Sequence, residues 1–318
     1  MFIQICLLII GFVLLIKGAD IFVDGASSTA QNFKVPKMLI GLTIVAFGTS
    51  APELAVSIQA LATKSSDMVL GNVIGSNITN ILLILGVAAT ICPIVIKDNT
   101  VKKELPLCIM ISLLFASQIA DKILDKSKIN MVTRSDALAI ILVFGVFLYY
   151  IVSLAIKDRK KVKEVEPPKF NLLKSFAFVL FGLAGIVIGS NLVVNSASSI
   201  ARMLGWSERL IALTIIAFGT SLPELVTTIM SSLKGEQDIL VGNIIGSNIF
   251  NICMVLGVPV SIFGGITANN FTGVDLVFFI VSAIILYIFS KTKRKITRSN
   301  GIILLLMFAA YYTMVFVL

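Results

Sequence analysis

The chain has 318 residues, 57% of them hydrophobic and 14% charged, with a formal net charge of +9, no histidine and a mean hydropathy of +1.01. That balance excludes a soluble globular core and describes a polytopic membrane protein. The four cysteines (Cys6, Cys92, Cys108 and Cys253) lack metal-ligand spacing and read as small hydrophobes, and the missing histidine disfavours soft-metal chemistry.

The first apolar stretch, 2–23, is long enough to cross a bilayer. No basic residue precedes it and it aligns with the sixth stretch, so it reads as a retained helix, not a signal peptide. Asp20 and Asp24 near its inner end read as solvated or snorkelling carboxylates, with a vestibule role as the alternative. The second stretch, 38–62, contains Thr43-Ile-Val-Ala-Phe-Gly-Thr-Ser-Ala-Pro-Glu-Leu54. The third, 68–96, contains Gly71-Asn-Val-Ile-Gly-Ser-Asn77 followed by Asn80. Stretches at 105–120 and 135–156 follow, and then a charged linker over 157–171. The linker reads as a topology determinant, with contact to anionic lipid at 157–169 as the alternative.

Beyond the linker the pattern starts again, at 172–200, 209–233, 239–265, 273–290 and 300–318. Thr214-Ile-Ile-Ala-Phe-Gly-Thr-Ser-Leu-Pro-Glu-Leu225 repeats the first motif, and Gly242-Asn-Ile-Ile-Gly-Ser-Asn248 with Asn251 repeats the second. Between 41–87 and 212–258 there are no gaps, and 25 of 47 positions are identical. The expected fold is therefore all-α, with about ten transmembrane helices in two five-helix repeats, 1–156 and 172–318. Lysine and arginine crowd alternate loops, eighteen against seven, which places both termini outside. Five crossings per repeat is odd, so the repeats are inverted, with a site expected between them as in secondary transporters.

The motifs suggest what such a site does. A carboxylate within a membrane segment is costly and marks function by default. Glu53 and Glu224 are such carboxylates, and no Lys or Arg lies within about ten residues of either. Pro52 and Pro223, read as lying inside helices, would free the carbonyls of Gly48 and Gly219 to line a cavity or meet a ligand. Thr49, Ser50, Thr220 and Ser221 add hydroxyl oxygens on the same turns. Ser76 and Asn80, like Ser247 and Asn251, are four residues apart and share a helix face. Gly71, Gly75, Gly242 and Gly246 have the small-xxx-small spacing that lets helices approach closely. The reading is an all-oxygen cage of charge about −2, suited to hard cations such as Na⁺ and Ca²⁺.

The paired G-T-S-x-P-E and G-N-x-x-G-S-N elements closely resemble the alpha repeats of the sodium/calcium exchanger family, of prokaryotic type, within the calcium/cation antiporter superfamily. The resemblance covers nearly the whole chain. It implies ten helices, with an ion cluster between the second, third, seventh and eighth. The family's two glutamates fall on Glu53 and Glu224, and its hydroxyl ligands on Thr49, Ser50, Ser76, Thr220, Ser221 and Ser247. Its carbonyl ligands fall on Ala46 and Ala217, and the amide of the first repeat on Asn80. At Asn251 several relatives, including potassium-dependent exchangers, carry aspartate, so K⁺-independent transport is expected. The resemblance further implies electrogenic Na⁺/Ca²⁺ antiport by alternating access in the cell membrane, with the first and sixth helices sliding past the rest.

On this reading Na⁺ and Ca²⁺ are transported substrates. No cofactor and no nucleic-acid partner is expected, and the chain is not an enzyme. H⁺/Ca²⁺ or K⁺-coupled exchange is the alternative. A cation channel is a further one, since carboxylates and carbonyls also line selectivity filters. A serine hydrolase is disfavoured because no histidine is present to act as base.

Overall fold

The computed structural model describes residues 1–124, 126–159, 167–206, 215, 217–268 and 273–317. The chain is almost entirely helical, and its helices are numbered here in chain order. They are α1 (Phe2–Phe33), α2 (Lys37–Thr49), α3 (Ala51–Ala62), α4 (Ser66–Ile91), α5 (Leu105–Gln118) and α6 (Arg134–Arg159). After the linker come α7 (Leu172–Met203), α8 (Leu222–Leu233), α9 (Gln237–Phe263), α10 (Gly273–Lys291) and α11 (Arg298–Val317).

Among the described residues, seven helices are long and apolar enough to span a membrane, or eight if the bent pair α2–α3 is one span. The expected span at 105–120 appears as α5, which has 14 residues and is preceded by a π-helical stretch, Thr100–Glu104. Most of the expected span start at 209–216, like linker residues 160–166, lies outside the described residues. Large apolar side chains stand on the surface, among them Phe2 at 79% exposure, Leu142 at 72% and Leu173 at 82%. Such a surface is stable in hydrocarbon, where α-helices satisfy their own backbone groups. By contrast, 94% of the most apolar stretch of α9 and 72% of that of α4 are buried, so these two are core helices.

The chain forms two compact units, and each draws on both repeats. The first comprises Met1–Pro52 and Ala155–Asn243. Its centre is the pairing of α1 with α7, each 32 residues and about 48 Å long. Glycines set how closely they approach. A Cβ on Gly18 would lie 2.8 Å from the Gly182 carbonyl oxygen, and one on Gly189 would lie 2.8 Å from that of Gly11. These are one contact made twice, because Gly11 and Gly18 align with Gly182 and Gly189 in the duplication. Leu15, Ala19, Phe22, Val179 and Ile186 fill the seam around them. Asn171 caps α7 by accepting from the Lys174 backbone N–H at 2.9 Å. The end of the linker is anchored on α1, since Ser28 and Asn32 both bond the Phe170 carbonyl.

The second unit comprises Glu53–Leu154 and Ile244–Leu318. Phe115 of α5 and Phe279 of α10 pack edge to face at 5.5 Å in its core. Two short antiparallel pairs tie its loops, Ile94–Val95 with Lys295–Ile296 and Met131–Val132 with Ile266–Thr267. Glu104 and Asp275, which correspond in the duplication, are each held by a phenol: Tyr150 donates to Glu104, and Tyr311 donates to Asp275 at 2.9 Å.

The small-xxx-small expectation is corrected at one of its glycines. A Cβ on Gly242 would meet the Met38 carbonyl oxygen at 2.7 Å, but one on Gly75 meets nothing within 4 Å. Helix spacing in the first unit therefore depends on Gly242 against Gly41, and no close packing requires Gly75. Gly18→Ala and Gly182→Ala are expected to destabilise the purified protein by about 1–3 kcal/mol through overpacking against backbone. Gly75→Ala should leave the thermal midpoint in detergent unchanged or slightly raised.

Candidate cation site

Each first motif breaks a helix. In the first repeat α2 ends at Thr49, Ser50 turns with φ −89 and ψ 6, and α3 begins at Ala51 with a bend of 43°. In the second, Ser221 adopts φ −87 and ψ 3 before α8 begins at Leu222. Pro52 and Pro223 thus occupy the second position of a new helix, which corrects the expectation that they lie inside one. A proline in a first turn lacks an N–H that no helical carbonyl requires there. Glu53 and Glu224 follow directly, in first turns where the helix dipole favours negative charge. The Gly219 carbonyl is not left open, because Ser190 of α7 donates to it at 3.1 Å.

In the first unit these residues form a connected set. Ser50 Oγ donates to Glu224 Oε1 at 2.8 Å, and Thr49 Oγ1 donates to Asn243 Oδ1 at 3.2 Å. Asn243 Nδ2 in turn donates to Thr228 Oγ1 at 3.2 Å. Thr49, Ser50, Thr228 and Asn243 are completely buried and Glu224 nearly so. Glu224 Oε2 is buried with no hydrogen-bond partner among the described residues. Ser221 is buried and Thr220 partly so. The Ala46 carbonyl already accepts the Ser50 N–H at 3.0 Å. Ala217 lies in the single turn Ala217–Gly219.

The second unit holds the other expected residues. Glu53 is 1% exposed, and its backbone carbonyl accepts from Asn72 Nδ2 at 3.1 Å. Asn72 Nδ2 also reaches Ser57 Oγ at 3.0 Å, and Ser76 Oγ donates to the Asn72 carbonyl. Asn80 Nδ2 donates to Asn248 Oδ1 at 3.1 Å. The Asn80 Oδ1, Ser247 Oγ and both amide atoms of Asn251 are buried with no hydrogen-bond partner among the described residues. Asn80 is the second residue of the π-helical turn Thr79–Ile84 and Asn251 the first of Asn251–Leu256, a distortion frequent at functional sites.

Asn72, Asn243, Ser57 and Thr228 were not assigned from the sequence. Asn72–Ser57 and Asn243–Thr228 are the same bond at equivalent positions of the duplication, and the repeated asparagine after Gly71 and Gly242 was the available signal.

Asp20 and Asp24 are not simply solvated. Lys234 binds Asp20 and Asp24 at 2.7 Å each, and Lys169 binds Asp24 at 2.7 Å. That hydrogen bond raises the Lys169 pKa above the ordinary lysine value. Together with Ser27, Lys37 and Glu236 these residues line a cleft of about 650 Å³.

Chemically, the arrangement suits a dehydrated hard cation. Among the described residues no three of His, Cys, Asp or Glu gather into one cluster. A buried polar atom without a partner costs about 1–3 kcal/mol, and oxygen ligation of a cation would recover that cost at Glu224 in the first unit and, in the second unit taken by itself, at Asn80, Ser247 and Asn251. Asn243→Leu, which strands the hydroxyls of Thr49 and Thr228, is expected to lower stability by about 1–3 kcal/mol. An unfolding midpoint equal to that of the parent would show that the Thr49–Asn243–Thr228 link carries no weight.

Comparison with known proteins agrees with this chemistry. The family profile described as sodium/calcium exchanger protein matches residues 3–153 and 174–317. The chain is 38% identical to inner membrane protein YrbG of Escherichia coli K12 over 83% of its own length and 82% of the relative's. It is 32% identical to sodium/calcium exchanger MaX1 of Methanosarcina acetivorans over 98% and 97% of the two chains. Its fold is similar to that of the sodium–calcium exchanger NCX_Mj in a crystal soaked with Na⁺ and Sr²⁺, with a TM-score of 0.85 and 31% identity over 98% of each chain. With a profile match along both repeats and relatives matched over nearly full length, the chain belongs to the sodium/calcium exchanger family of cation antiporters.

Proposed function

We propose that this chain exchanges Na⁺ for Ca²⁺ across the cell membrane by alternating access, independently of K⁺ and with both termini outside. The observation that carries the proposal is the buried carboxylate of Glu224, held through one oxygen by Ser50 while the other has no partner among the described residues. Glu53 and Glu224 supply the charge. The neutral ligands are the oxygens of Thr49, Ser50, Ser76, Asn80, Thr220, Ser221, Ser247 and Asn251 and the carbonyls of Ala46 and Ala217. One Ca²⁺ neutralises two carboxylates, whereas three Na⁺ leave one positive charge. Three-for-one exchange would then move one net charge per cycle, and 100 mV would contribute about 2.3 kcal/mol to it.

A second reading, coupling to H⁺ or K⁺, turns on Asn251, a neutral amide buried at 1% exposure. An acid there would add a charge or proton acceptor to the ligand set.

Radioactive Ca²⁺ uptake into Na⁺-loaded proteoliposomes diluted into Na⁺-free medium tests both readings. Uptake should need the Na⁺ gradient and neither K⁺ nor a pH gradient. Glu53→Gln and Glu224→Gln should each nearly abolish it in folded protein, and full flux in either would defeat the ligand assignment. Asn251→Asp should change ion affinity, pH dependence or K⁺ dependence, and identical profiles for all three would remove Asn251 from the tuning of the site.

A further inference from the structure

The two faces of α8 differ in chemistry. Leu222, Val226 and Met230, four residues apart, pack against the core that α1 and α7 share. Opposite them, Glu224, Thr227, Thr228 and Ser231 fall within about 100° of arc. All four are buried, Glu224 at 1% exposure and the three hydroxyl residues at 0%. Two groups in this row have partners: Thr228 accepts from Asn243, and Glu224 Oε1 accepts from Ser50. Glu224 Oε2, Thr227 Oγ1 and Ser231 Oγ have none among the described residues.

Helix hydroxyls can bond a carbonyl of their own preceding turn. Elsewhere in this chain Thr29, Thr43, Ser112 and Ser282 do so, at 2.7, 2.6, 2.9 and 2.8 Å. Ser198 and Ser290, like Thr227 and Ser231, have no such partner among the described residues. Thr227 and Ser231 forgo that bond, each at the cost of a desolvated hydroxyl. Packing does not demand hydroxyls here. The corresponding residues of α3 are Val56 and Ala60, so the same helix of the first repeat is built with apolar groups. The aligned partner of Thr228 is Ser57, bound to Asn72, so within this row the unpartnered pair is what differs in chemistry between the repeats.

We propose that Thr227 and Ser231 are transient cation contacts on an access path, forming with Glu224 a file of oxygens along α8 toward its Lys234 end. This rests on the reading of Glu224 as a cation ligand. The rise per residue spaces the three positions by about 4.5 and 6 Å along the axis. Thr227 and Ser231 each offer one neutral oxygen, too few for Ca²⁺, which takes about 6–8. The file therefore passes a partly hydrated cation and does not store one. Because the first repeat lacks it, the file provides access along α8 alone.

Two measurements on the full chain test this. In protein whose four native cysteines are replaced by serine or alanine, Thr227→Cys, Ser231→Cys, Val56→Cys and Ala60→Cys are treated in proteoliposomes with trimethylammonium-ethyl methanethiosulfonate. The α8 thiols should react about tenfold faster than those of α3, and Ca²⁺ should slow them. Equal rates on the two helices, or no reaction on α8, would overturn the file. Cysteine is close to serine in size, so this arm does not depend on a disruptive substitution. In the second measurement, Thr227→Val and Ser231→Ala should each lower Na⁺-driven Ca²⁺ uptake about tenfold, as loss of one cation contact implies. Equilibrium Ca²⁺ binding in detergent should be unchanged, and Thr227→Ser should transport like the parent. Unchanged uptake, or a matching loss of binding, would overturn the proposal. Should the parent show no Na⁺-driven uptake, the exchange reading fails, and the labelling rates still decide access along α8.

Discussion

A carboxylate taken out of water must find its solvation within the protein, and the rest of this structure depends on that constraint. Glu224 has Ser50 on one oxygen, and Ser50 is available because α2 stops one residue earlier. The helix stops there because Pro52 suits the second position of a new helix and not the interior of an old one. The break, the hydroxyls and the buried acid are thus one device. It occurs twice, since the duplication copied all its parts together.

The buried amides extend the device. Asn243 joins Thr49 to Thr228, and Asn72 ties the carbonyl of Glu53 to Ser57. Neutral groups hold the hydroxyls in place without adding charge near either carboxylate. Asn251 differs from these, since both its amide atoms are buried with no partner among the described residues. A fold seeking only stability would replace such a side chain with an apolar one.

Much of this was legible in the sequence because duplication separates signal from accident. One buried glutamate or one proline is ambiguous, but the same pair recurring in a matched segment is not. What escaped were matters of local geometry. The prolines were read as interior because an apolar window does not reveal where one helix ends and the next begins. Gly75 was read as a packing residue from its spacing, yet spacing cannot say whether a neighbour stands opposite. The π-helical turns at Asn80 and Asn251 have no sequence signature, and the roles of Asn72 and Asn243 needed side-chain directions to become visible.

The contact of α1 with α7 has a consequence for how this chain tolerates inheritance errors. Every missense change of a glycine codon adds a Cβ, and along this seam a Cβ on Gly18, Gly182 or Gly189 would meet backbone within 2.8 Å. A serine codon, by contrast, can become a threonine codon through one base change and keep its hydroxyl. Random mutation therefore threatens the glycine seam more than the buried hydroxyls, and damaging alleles should concentrate along α1 and α7.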